Sequence, residues 1–160
     1  MTKKELYEEL VAQAAALTEN EENILANLAN IAALLGNSLP QINWAGFYLM
    51  DGGQLVLGPF WGKPACLRIP LGRGVCGTAA AADSIQRVAD VHQFPGHIAC
   101  DSASNSEIVL PLHREGRVVA VLDIDSPFLS RFTDEDEAVL NALAAVLEGL
   151  PWTQCGYSLN

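Results

Sequence analysis

Residues 107–125 read EIVLPLHREGRVVAVLDID. Two apolar runs, 107–113 and 117–125, flank Arg114, Glu115 and Gly116, a turn signal, and form the clearest β-hairpin in the chain. Side chains two apart on a strand share a face. Asp123 and Asp125 therefore point the same way, and the turn brings Glu107 to the same end of the sheet. Three carboxylates there repel one another unless a cation or a shared proton lies between them. One reading is a solvated strand end. The other is a pocket for a cationic group, with one acid protonated and able to donate its proton.

Working outward, residues 86–89 and 66–69 read as short strands. Residues 42–50 and 54–60, rich in aromatic and branched side chains, flank Asp51, Gly52 and Gly53 as a second hairpin. Residues 3–17 carry Leu6, Leu10, Ala14 and Leu17 near helical spacing. Thr18 and Glu21 match a capping box for a second helix, which Gly36 and Asn37 are expected to end. Residues 75–82 form a helix of small residues, and residues 91–105 an irregular connection. Thr133, followed by acids, caps a last helix that ends near Gly149. Residues 151–160 read as a loosely held tail. Strands joined by tight turns imply an α+β domain over residues 1–150, with an antiparallel sheet and helices outside it.

Composition narrows the function. The chain has 160 residues, half of them hydrophobic, and a formal charge of −10. That balance argues against nucleic acid and anionic membranes as partners, since phosphate binding needs clustered Lys and Arg. The charged N-terminus lacks the apolar core of a signal peptide. No apolar run approaches the roughly 18 residues that span a bilayer. A cytoplasmic protein is expected, with cysteines reduced, redox-active or metal-binding rather than structural disulfides.

Three of the four cysteines, Cys66, Cys76 and Cys100, fall within residues 66–100. No Cys-x-x-Cys motif is present, so neither a thioredoxin-type dithiol nor a zinc ribbon is signalled. Zinc held by these cysteines with His92 or His97 would need long, irregular spacings. The alternative is a nucleophilic cysteine with a resolving partner. Cys100 sits among small and polar residues, the composition of a loop, and loops carry chemistry more often than cores do. His97, three residues before it, could lower its pKa. Cys66 lies at a loop-to-strand junction, where mobility suits a resolving role. Cys76, within GRGVCG, reads first as a packed thiol. That motif lacks phosphate-loop and dinucleotide spacing. Trp44 and Tyr48 share a face, either as core or as the wall of an apolar pocket with Trp61 nearby.

Taken together, INWAGFYL (42–49), LVLGPFWGKPAC (55–66), GRGVCGTA (72–79), DVHQFPGHIACDSASNSEIVLPL (90–112), VLDIDSP (121–127) and RFTDEDE (131–137) resemble the free methionine-(R)-sulfoxide reductases, which are GAF-domain proteins. The resemblance covers residues 6–147. It implies a six-stranded antiparallel sheet with helices mainly on one side, and reduction of free methionine (R)-sulfoxide. It makes Cys100 the nucleophile, Cys66 its disulfide partner and thioredoxin the reductant, recharged by NADPH through its reductase. Cys76 would assist or lie near the substrate. Glu107, Asp123 and Asp125 would hold the ammonium and the sulfoxide oxygen, and Trp44 and Tyr48 the S-methyl group. No bound cofactor or metal is implied, and a homodimer is left open. The chain departs from the family at Trp61, where glutamine is common, and at Cys155, which has no counterpart. The rival is a GAF module that senses a small ligand without catalysis.

Overall fold

The computed structural model describes residues 1–97 and 102–152. Its elements run α1 (Lys3–Thr18), α2 (Ile24–Ser38), β1 (Trp44–Asp51), β2 (Gln54–Gly62), β3 (Arg68–Pro70), α3 (Gly74–Ala82), β4 (Gln86–Val88), β5 (Ser106–Arg114), β6 (Arg117–Ser126) and α4 (Asp134–Glu148). The six strands form one sheet in the order β3-β2-β1-β6-β5-β4. Every neighbouring pair is antiparallel. This is the α+β arrangement expected from the sequence. Among the described residues, no helix is long and apolar enough to cross a membrane.

Strand alternation splits the core in two. Ala45, Phe47, Leu49, Ile108, Leu110, Ala120, Leu122 and Ile124 face α1, α2 and α4. Trp44, Tyr48, Val109 and Val121 face the other way, toward α3. Three helices thus cover one face. On the other, the small residues of α3 allow a close approach: a Cβ at Gly77 would lie 2.5 Å from the Pro70 carbonyl oxygen.

Three local expectations change. The N-cap of α2 is Asn23, whose side chain accepts from the Ala26 N–H at 3.0 Å. Thr18 instead closes α1, its hydroxyl donating to the Ala14 carbonyl at 2.9 Å. Nor does Gly36 end α2, which continues to Ser38. It is glycine because the Trp61 indole lies on it: a Cβ there would be 2.1 Å from the ring. The start of the tail is fixed too. Trp152 is buried, and its indole N–H donates to the Leu147 carbonyl at 2.9 Å.

The Gly36 contact gives a prediction in which two effects oppose. Alanine gains about 1 kcal/mol of helix propensity. Displacing Trp61 costs about 1–3 kcal/mol, as overpacking does. Gly36→Ala is expected to lower the urea midpoint; a higher midpoint would show that Trp61 yields freely.

Candidate functional site

The α3 face of the sheet gathers the acids, Cys76 and two of the aromatic side chains. Register puts Trp44 opposite Asp125, and Asp125 opposite Glu107. The next row is Gly46, Asp123 and Val109. The acids predicted to cluster from strand periodicity therefore lie side by side, at the strand ends where α3 begins. Gly46 keeps its row open, since a Cβ there would lie 2.8 Å from the Trp44 ring and 2.4 Å from Phe60 Cβ. Trp44, Tyr48, Ile69, Cys76, the three acids and a rim of Arg73, His97 and Ser104 enclose a cavity of about 40 Å3.

Burial sets the electrostatics. Glu107 and Asp123 are 8% and 5% exposed, and Cys76 is 4% exposed. Burial pushes the Glu107 carboxyl well above its usual range, and the Asp123 charge adds to the effect. Asp123 is raised by burial and then by Asp125. The Cys76 thiol is raised by burial and by the charges of Asp123 and Glu107. It contacts Glu107 Oε2 at 3.9 Å, with the thiol as donor. Low dielectric and like charge both favour the protonated forms, so the group holds protons at a pH where free carboxyls have lost them. Cys76 is thereby a neutral thiol. Asp123 Oδ1 is buried with no hydrogen-bond partner among the described residues.

The aromatics do two things. Trp44 stacks between Tyr48 and Phe60, with centroids 5.9 and 5.3 Å away. Both also hold the segment that carries Cys66: Trp44 Nε1 donates to the Lys63 carbonyl at 3.1 Å, and the Tyr48 hydroxyl to the Cys66 carbonyl at 2.9 Å. Sequence alone suggested an apolar box; the polar ends were not anticipated. Trp61, expected near the pocket, packs instead against α2 on the opposite face.

Of the cysteines, Cys66 is disulfide-bonded and Cys76 is a free thiol. Cys100 and Cys155 lie outside the described residues. Cys76 groups with Glu107 and Asp123, whose side-chain ligand atoms all lie within 4.8 Å of one another. His97 reaches the rim, and burial and the neighbouring His92 lower its pKa, keeping the ring neutral. Arg73 was missed as a site residue. Its signal was the GRG sequence at the start of α3, which brings a cation beside three acids.

The sheet, its three covering helices and the pocket beneath a fourth define a GAF domain. The GAF domain family model matches residues 5–149, and the chain belongs to that family. Over 148 residues it is 59% identical to the free methionine-R-sulfoxide reductase of Escherichia coli, covering 92% of this chain and 90% of that one. The reduced form of the Staphylococcus aureus fRMsr structure is 52% identical, with a TM-score of 0.87 over 89% of this chain and 92% of that chain. The Neisseria meningitidis free methionine-R-sulfoxide reductase, solved in complex with its substrate, is 47% identical, with a TM-score of 0.89 over 92% and 89%. Within the GAF domains, the chain belongs to the free methionine-R-sulfoxide reductase family.

Proposed function

We propose that the protein reduces free L-methionine (R)-S-oxide to L-methionine. The observation that carries this reading is the buried Glu107–Asp123 pair, raised in pKa, beside the Trp44–Tyr48 wall. In the proposed reaction the Cys100 thiolate attacks the sulfoxide sulfur. A Cys100 Sγ–S bond forms as the acid pair delivers two protons to the oxygen. The S–O bond breaks and the oxygen leaves as water, which then attacks the Cys100 Sγ, so that the S–S bond breaks, methionine leaves, one proton returns to the acid pair, and Cys100 is left as a sulfenic acid. Without those protons the oxygen would depart as a poor leaving group. Cys66 then attacks the sulfenic sulfur, releasing water and forming a Cys66–Cys100 disulfide. Thioredoxin reduces the disulfide by thiol exchange and draws its electrons from NADPH through its reductase, in the cytoplasm and without a bound cofactor.

The pocket's charges supply specificity. Asp125 and its neighbouring acids take the substrate ammonium, Arg73 its carboxylate, and the aromatic wall the S-methyl group. A peptide-bonded methionine has neither terminal charge, so the buried acids would stay uncompensated. Cys66 being in a disulfide while Cys76 is a free thiol supports Cys66 as the resolving residue.

The test is oxidation of NADPH by the full chain with L-methionine R-sulfoxide, thioredoxin and its reductase. Turnover is expected with the free amino acid and not with a peptide carrying the same sulfoxide. Cys100→Ser should abolish it. Tight sulfoxide binding without turnover would favour the ligand-sensing module, and full activity in Cys100→Ser would reject the mechanism.

A further inference from the structure

Cys76, Glu107 and Asp123 converge on one point from three elements: α3, β5 and β6. Their ligand atoms already lie within 4.8 Å of one another, and all three residues are buried. Around a tetrahedral zinc ion, with bonds of about 2.0 Å to oxygen and 2.3 Å to sulfur, such atoms sit about 3.3–3.6 Å apart. The closure needed is about 1 Å, within reach of side-chain rotation alone. A second observation points the same way. Asp123, 5% exposed, lines the cavity, and its Oδ1 has no hydrogen-bond partner among the described residues.

We propose that Cys76, Glu107 and Asp123 form a binding site for a thiophilic divalent cation of the zinc type, which excludes the sulfoxide while it is bound. A sulfur with two carboxylate oxygens suits zinc over magnesium or calcium, which take oxygen ligands. The cation adds positive charge amid three close acidic groups, with Arg73 only at the rim, and a cavity of about 40 Å3 is large enough for a water as fourth ligand. This trio differs from the set considered on sequence, which drew on three cysteines and a histidine. Cys66, being in a disulfide, offers no thiolate. Cys76 keeps its thiol. Exclusion of the sulfoxide rests on the reading of the pocket given under the proposed function; binding of the cation does not.

The experiment uses the full chain with the Cys66 disulfide intact and Cys155→Ser to remove the tail thiol. Cobalt(II) is titrated as a spectroscopic probe and zinc by calorimetry. One ion per chain is expected, with a thiolate-to-cobalt charge-transfer band. Cys76→Ser should abolish the band and weaken zinc binding by more than the roughly 10- to 100-fold that loss of an outer-shell partner costs. Asp123→Asn should weaken it comparably, and saturating L-methionine R-sulfoxide should raise the apparent Kd. A band that survives in Cys76→Ser overturns the site, as does binding lost in His92→Ala but kept in Cys76→Ser and Asp123→Asn. Zinc affinity indifferent to the sulfoxide overturns the exclusion. An inactive chain that binds zinc at this trio would count against the reductase reading alone. An active chain that binds none would count against the cation site alone.

Discussion

Asp123→Asn is expected to lower kcat/KM for free methionine R-sulfoxide by about 10²- to 10⁴-fold, the range lost with a general acid, while the fold holds or gains stability. Asparagine keeps the shape and removes the charge. The two consequences part because Asp123 is a liability to the fold: it is 5% exposed and has a buried oxygen with no partner among the described residues. The sign of the pH effect follows from the raised pKa values of Glu107 and Asp123, set first by burial and then by neighbouring charge. A folded-state pKa above the unfolded value gives a contribution that is complete below the ordinary carboxyl range, about pH 4. It is lost as pH rises through the folded value. Asp123→Asn removes part of that loss, so its stability advantage should grow upward from about pH 4. A lower thermal midpoint accompanying the lost activity would mean that the residue serves the fold. Because the proton belongs to the pair, the double variant Asp123→Asn, Glu107→Gln should be little worse than the poorer single one. Multiplying losses would show two separate jobs.

That acid pair was legible in the sequence for a definite reason. A strand has period two, and the turn at residues 114–116 fixes which residues of β5 and β6 face each other. Those two local rules bring Glu107, Asp123 and Asp125 together with no knowledge of the rest of the chain. Trp44 and Tyr48 followed from the same periodicity. What escaped depends on contacts distant in sequence. Trp61 leaves the pocket because α2 offers Gly36 on the other face, a pairing 25 residues apart that no local pattern records. Arg73 looked like part of a failed phosphate loop until α3 was seen to begin at the acids. At the start of α2, the pattern of Thr18 and Glu21 pointed to a cap five residues too early. The choice went to Asn23 once Thr18 was drawn into the last turn of α1. Trp152 resembled a tail residue because its partners, at the end of α4, lie behind it in the chain.

Asp136→Ala should destabilise the protein by about 3–5 kcal/mol, the cost of breaking a buried ion pair from one side. Asp136 has no exposed surface. It accepts from the Thr133 backbone N–H at 2.7 Å, closing the capping box of α4. It also pairs with Lys3 at 3.0 Å and Arg131 at 3.1 Å, and takes a short hydrogen bond from the Tyr7 hydroxyl. One carboxylate thus joins the two ends of α1's first two turns to the start of α4. Alanine would leave the Arg131 guanidinium, whose side chain is only 7% exposed, with the Pro40 carbonyl but without its paired carboxylate. Burial alone would raise the Asp136 pKa, but the hydrogen bonds from Tyr7, Thr133, Lys3 and Arg131 outweigh it and lower the value. The sign is therefore opposite to that at the pocket: this contribution is complete above the unfolded carboxyl value and is lost as pH falls through the lowered folded one. Wild type should lose stability on both sides of a mid-range optimum, from Asp136 in acid and from the Glu107–Asp123 pair in base, and Asp136→Ala should flatten only the acid side. Because Asp136 lies on the helical face remote from the acids, kcat/KM below the unfolding midpoint should change less than about twofold, far short of the loss from removing a general acid. A larger kinetic loss in a variant that still unfolds at the wild-type midpoint would tie this joint to the pocket and refute the division of the molecule into a stabilising face and a reacting one.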